Sequence, residues 1–161
     1  MKEKLYFTKP APDFVLRDQL DHPTSLSMFK GKWVILYFYP RDKTPGCTTE
    51  AQEFSENNSA FQRLNAIIMG VSPDSIQSHQ SFCQGYNLKI LLLSDEEKKV
   101  LQEYDVWETK KFLGREFLGV IRSTFLIDPA GRIAHIWHSV HVKGHVIEVL
   151  KKVRELQGKP F

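Results

Sequence analysis

The chain has 161 residues, of which 42% are hydrophobic and 25% charged; this suits one domain with a proper core and excludes a disordered or fibrous chain. Its formal charge of +3 is too weak for the dense basic stripe of a nucleic-acid binder, and its longest apolar run, Trp33 to Tyr39, is too short to cross a bilayer. Two cysteines are too few for a disulfide framework or a four-cysteine zinc site.

In chain order, residues 12–16 and 24–26 read as short strands around the polar turn Asp21-His22-Pro23. Residues 33–39 are continuous, β-branched and aromatic, the pattern of a central strand buried on both faces, and Pro40 stops it. The sequence then predicts a helix over 45–63, with Cys47, Ala51, Phe54, Asn58 and Phe61 on one stripe. A buried strand follows from Ala66 to Val71. A weak, polar helix over 75–85 precedes a strand over 90–93. Ser94 and Glu97 have capping-box spacing and predict a helix from there to near Tyr104. Residues 108–116 read as a basic, polar loop. Strands over 123–127 and 132–138 flank Asp128-Pro129-Ala130-Gly131, a hairpin signal. Residues 144–157 form the last helix, with Val146, Val149, Leu150, Val153 and Leu156 as its core stripe. His138, His141 and His145 have helix-like spacing but read as solvated residues near that helix start, not as metal ligands.

Alternation followed by an antiparallel hairpin implies an α/β fold. Its mixed central sheet carries helices on both faces in a thioredoxin-like arrangement with an N-terminal extension, as one domain over 1–161. In open α/β sheets the reactive site lies at the carboxyl end of a strand, beside the start of the next helix. Cys47 occupies that place. In Thr44-Pro45-Gly46-Cys47, Thr44 suits the N-cap, Pro45 the first helical position and Cys47 the third. Unpaired N–H groups give a helix start partial positive charge, which favours the nucleophilic thiolate. A lone thiolate reacts with hydroperoxides to give a sulfenic acid. Fast reaction needs a positive charge nearby. Arg122 is one candidate, and by position alone Arg41, Lys43, Arg115 and Arg132 are its equals.

The pattern Pro40-x-x-x-Thr44-x-x-Cys47 resembles the active-site signature of the peroxiredoxins, thiol-dependent peroxidases on a thioredoxin fold. The longer stretch from Phe38 to Ala51 resembles the bacterioferritin comigratory protein, or peroxiredoxin Q, subfamily. Further matches at Gly70-Val71-Ser72-Pro73-Asp74, Leu93-Ser94-Asp95, Val106-Trp107, Lys110-Lys111-Phe112 and Arg122 through Asp128 extend it over nearly the whole chain. The resemblance implies that Cys47 is the peroxidatic cysteine and that Thr44 and Arg122 polarise the peroxide. Pro40 shields the pocket, Gly46 lies in the pocket motif and Glu50 belongs to the supporting network.

Many members place the resolving cysteine five residues after the peroxidatic one, where this chain has Gln52. Others place it in the later helix, where this chain has Cys83. The resemblance therefore implies a monomeric, cytoplasmic peroxidase that needs no metal or organic cofactor. Hydroperoxide would oxidise Cys47, Cys83 would form a disulfide with it, and thioredoxin or a similar dithiol would reduce the bridge. A one-cysteine peroxidase resolved by an external thiol, or a redox-sensing interaction protein, stays open. With three serines in 75–85, that helix is expected to open at low cost on oxidation, together with the first turn of the Cys47 helix. Gly85-Tyr86-Asn87-Leu88 replaces the Gly-Gly-Leu-Gly of relatives sensitive to overoxidation, and no Tyr-Phe arm precedes Phe161. Sulfinic acid is thus expected only at high peroxide. Residues 1–5 lack the pattern of a secretory signal.

Overall fold

Residues Trp33–Phe38 form an interior strand, buried from Val34 onward, of a computed structural model that describes Leu5 and residues 8–159. Residues 1–4 and Phe161, on which the expectations about a secretory signal and a C-terminal arm bear, lie outside the described residues. The elements in order are β1 (Val15–Asp18), β2 (Pro23–Ser25), β3 (Trp33–Phe38), α1 (Pro45–Glu56), α2 (Asn58–Arg63), β4 (Ala66–Ser72) and α3 (Ile76–Tyr86). There follow β5 (Leu91–Ser94), α4 (Lys99–Glu103), β6 (Trp107–Phe112), β7 (Arg115–Val120), β8 (Ser123–Ile127), β9 (Ile133–Trp137) and α5 (His145–Leu156).

The main sheet has the order β2-β1-β5-β4-β3-β8-β9. Strand β3 runs parallel to β4, with Ile35 opposite Ile68, and antiparallel to β8, with Ile35 opposite Leu126. Its alternating side chains divide the core. Ile35 and Tyr37 pack with Phe54, Phe61, Phe82 and Val149 from α1, α2, α3 and α5. Val34, Leu36 and Phe38 pack with Val100, Leu101 and Tyr104 around α4 and with Phe14 and Leu26. The mixed sheet therefore has helices on both faces, as expected from the alternation. Among the described residues no helix is long and apolar enough to cross a membrane.

Five expectations need correction. The helix expected over 45–63 breaks at Asn57, whose side-chain amide donates to the Glu53 carbonyl and competes with the helical backbone donors. Ser94 stays in β5 and does not cap a helix. Asp95 instead accepts from the Leu101 backbone N–H, so the helix begins only at Lys99. The loop expected at 108–116 is a two-stranded ribbon, β6–β7, turning through Leu113 and Gly114 at positive φ of 50° and 76°. Leu156 is exposed, unlike Val146, Val149, Leu150 and Val153. His145 is buried, its Nε2 2.8 Å from the Thr124 hydroxyl, whereas His138 and His141 are exposed as expected.

Candidate active site

Helix α1 starts at the carboxyl end of β3 after a short turn, so that strand aims its first residues at the rim of the sheet. Thr44 is the N-cap in extended conformation and Pro45 opens the helix, which makes Cys47 its third residue. The Thr48 N–H already bonds the Thr44 carbonyl at 2.8 Å. The preceding N–H groups of Gly46 and Cys47 have no acceptor within the helix and supply its positive end. The Thr44 hydroxyl does not cap; it donates to the Arg41 carbonyl at 2.9 Å. Cys47 is buried because the same stripe carries Ala51 and Phe54 into the core.

Arg122 arrives from the start of β8, seventy-five residues away in sequence. Its Nη2 donates to Cys47 Sγ at 3.3 Å, and its Nη1 donates to Glu50 Oε1 at 2.6 Å. One planar guanidinium thus spans the sulfur and a carboxylate one helical turn further on. Gly46 leaves room for this approach: a Cβ there would lie 3.3 Å from Nη2 and push the guanidinium by a few tenths of an ångström. Burial outweighs the attraction of Arg122 and pushes the Glu50 carboxyl up to about 7. Its other oxygen, Oε2, is buried without a hydrogen-bond partner. Pro40, half-buried, begins the turn that leads from β3 into this site. The other cations of equal promise go elsewhere: Arg132 donates to the Thr8 carbonyl, Lys43 to the Ser81 hydroxyl, and Arg41 and Arg115 are exposed.

Cys83 lies on α3, half-buried, and both cysteines are free thiols. Burial, with Asp42 and Asp18 nearby, pushes the Cys83 thiol up to about 12. Its charged neighbours are therefore acidic, whereas Cys47 faces a cation.

Three groups escaped the sequence reasoning. Lys110 reaches from the β6–β7 ribbon to donate to the Val120 carbonyl at 2.9 Å. Its stem crosses Gly119, where a Cβ would meet it at 2.8 Å, and burial and Arg122 hold its pKa below the ordinary value. His145 is pulled down to about 4, mostly by burial and further by the charge of Arg122. Its place one residue before Val146 on the core stripe was a legible sign. The third group is Asp42 with Asp74 and His79, whose donor atoms lie within 4.8 Å of one another, as in a metal site. Protein groups occupy them: His79 contacts Asp42 Oδ2 and the Leu93 carbonyl, and Asp74 Oδ2 accepts from the Asp42 N–H and Ser72 hydroxyl.

A family model described as AhpC/TSA family matches residues 7–136. Peroxiredoxin Bcp of Bacillus subtilis is 47% identical over 149 residues, covering 92% of this chain and 95% of that protein. A chloroplastic peroxiredoxin Q from Sedum lineare is 38% identical over 149 residues, 91% of this chain and 76% of its own length. Among solved structures, a cysteine-to-serine mutant of Xylella fastidiosa PrxQ superposes with a TM-score of 0.91 at 34% identity, covering 96% of this chain and 99% of that one. Trapped intermediate and ligand complexes of Xanthomonas campestris bacterioferritin comigratory protein, which bear on its alkyl peroxide reduction activity, give a TM-score of 0.85 at 36% identity, covering 88% and 90%.

Proposed function

The chain belongs to the AhpC/TSA family and is a peroxiredoxin with a thioredoxin-like fold, a thiol-dependent peroxidase, and from that premise we propose that Cys47 is its peroxidatic cysteine and Cys83 its resolving one. The observation that carries this reading is the Arg122 guanidinium 3.3 Å from Cys47 Sγ at the start of α1. In the first step the Cys47 thiolate attacks one oxygen of a hydroperoxide. An S–O bond forms as the O–O bond breaks, and the departing oxygen takes a proton to leave as water or an alcohol. Arg122 and the helix N–H groups face the negative charge that moves from sulfur to the departing oxygen. Thr44 assists once its hydroxyl turns from the Arg41 carbonyl to the peroxide. Glu50 orients the guanidinium, Gly46 leaves room for it, and Pro40 screens the sulfur from water.

In the second step Cys83 sulfur attacks the sulfenic sulfur. An S–S bond forms, the S–O bond breaks, and the hydroxyl leaves as water with the Cys83 proton. A dithiol reductant, which we take to be thioredoxin, reopens the bridge by thiol–disulfide exchange. Hydrogen peroxide and organic hydroperoxides are the substrates; the alkyl peroxide reduction of the Xanthomonas campestris relative supports the organic class. None of these steps uses a metal or an organic cofactor. We further propose a single domain over 1–161 that works as a monomer in the cytoplasm.

Steady-state peroxide consumption with a thioredoxin system tests the scheme. Cys47→Ser should abolish it. Cys83→Ser should consume one equivalent of peroxide and then stop. A Cys83→Ser protein that turns over at the unmodified rate would replace this scheme with the one-cysteine peroxidase.

A further inference from the structure

Helix α3 contributes only one apolar side chain, Phe82, to the buried core, with Cys83 packed at its margin. Polar contacts hold the rest of its inward face. His79, fully buried one turn before Cys83, places Nδ1 2.7 Å from Asp42 Oδ2 and Nε2 3.0 Å from the Leu93 carbonyl. The carbonyl can only accept, so Nε2 carries a hydrogen. Ser78 donates to the same Oδ2 at 2.8 Å, Tyr39 donates to Oδ1 at 2.6 Å, and the Asp42 N–H donates to Asp74 at 2.8 Å. Lys43, the next residue, donates to Ser81 at 2.6 Å. Asp42 and Lys43 belong to the turn that delivers Cys47, whereas Ser78, His79 and Ser81 belong to the helix that carries Cys83.

We propose that Asp42 and His79 are positioning residues of the resolving step: they clasp the Cys83 helix to the Cys47 turn in the dithiol protein, and their release sets the rate at which the disulfide forms. This rests on the assignment of Cys83 as the resolving cysteine. Cys47 faces the Arg122 guanidinium, whereas Cys83 is set by burial and the nearby Asp42 and Asp18, and on this proposal one segment moves when the bridge forms. The Asp42–His79 contact is a buried tie between those segments. Hydrogen bonds suit a tie that must let go, because water replaces them at small net cost once the helix lifts, which an apolar contact does not allow. Asp42 also disfavours the Cys83 thiolate while the clasp is closed. Opening therefore frees the thiol both in position and in charge.

The full-length protein, reduced and then mixed with hydrogen peroxide, is quenched with a thiol-blocking reagent at millisecond intervals and read by intact mass. His79→Gln and the milder Ser78→Ala are compared with the unmodified chain, with far-UV circular dichroism as the check on folding. Disulfide formation should accelerate about tenfold in His79→Gln and about threefold in Ser78→Ala, while the second-order sulfenic acid step stays within about twofold. Because the clasp exists only in the dithiol form, the equilibrium with a reference dithiol should shift about tenfold toward the disulfide in His79→Gln, about 30 mV more negative. A purely structural role would leave that potential unmoved. If His79→Gln fails to fold, Ser78→Ala carries the test alone. An unmodified chain that bridges, beside folded variants that bridge no faster or at an unchanged potential, overturns the clasp and leaves the peroxidase scheme intact. An unmodified chain that forms no Cys47–Cys83 bridge overturns the resolving assignment itself.

Discussion

The segments around the two cysteines are built on opposite principles. Cys47 is rooted in the core by an apolar stripe and faces a permanently charged guanidinium. Cys83 lies half-buried on a helix held mainly by polar contacts, its thiol pushed up to about 12. A nucleophile that must meet a dilute oxidant gains from a rigid, prepaid geometry. A resolving thiol gains from being suppressed until the sulfenic acid exists. On the roles proposed for Cys47 and Cys83, the difference separates attack from resolution.

Removing the cation breaks the contrast most directly. Arg122→Met should lower the second-order rate with hydrogen peroxide by about a hundred- to a thousandfold, read by competition with another peroxidase. An unchanged rate would reduce Arg122 to packing. Next in size is alkylation of the reduced protein with iodoacetamide at pH 8. Cys83 should be labelled at least about a hundredfold more slowly than Cys47, and mild urea should close most of that gap by opening α3. Equal labelling in buffer would dissolve the comparison.

The smallest effect concerns Glu50. Its folded pKa of about 7 lies above the ordinary 4.5, so the folded chain holds that proton more tightly than the unfolded one. This stabilisation is therefore complete below about 4.5 and is lost as pH rises through about 7, roughly 3 kcal/mol in all. His145, lowered to about 4, contributes the opposite slope, favouring the folded chain as pH rises from about 4 to 6.5. Comparing urea midpoints of the unmodified chain and Glu50→Gln at pH 5 and pH 7.5 removes the histidine contribution. Glu50→Gln should lack the loss seen in the parent; parallel curves would show that Glu50 ionises without penalty.

Much of this was legible in the residues. The run 33–39, the Thr44-Pro45 helix start and the hairpin at Asp128–Gly131 are local signals, and local physics governs them. The β6–β7 ribbon was hidden because its turn is Leu113-Gly114 rather than Asn-Gly, and because its strands are exposed along most of their length, without inward alternation. The pairing of Arg122 with Cys47 spans seventy-five residues, and that of Asp42 with His79 spans thirty-seven. Position gave Arg122 no advantage over four other cations; only folding does. Polarity in α3 was readable, but the sequence showed it only as weakness. The structure shows that the same serines and histidine fasten the helix.

That fastening gives the protein a sense of time. Under the proposed scheme the sulfenic acid would meet either a second peroxide, at a frequency proportional to its concentration, or Cys83, at a frequency fixed by the release of α3. Where the two frequencies match there is a definite peroxide concentration, below which the enzyme recycles and above which it is lost to sulfinic acid. On that scheme a few short hydrogen bonds between a turn and a helix would act as a calibrated threshold, adjustable by single substitutions outside the reacting pair.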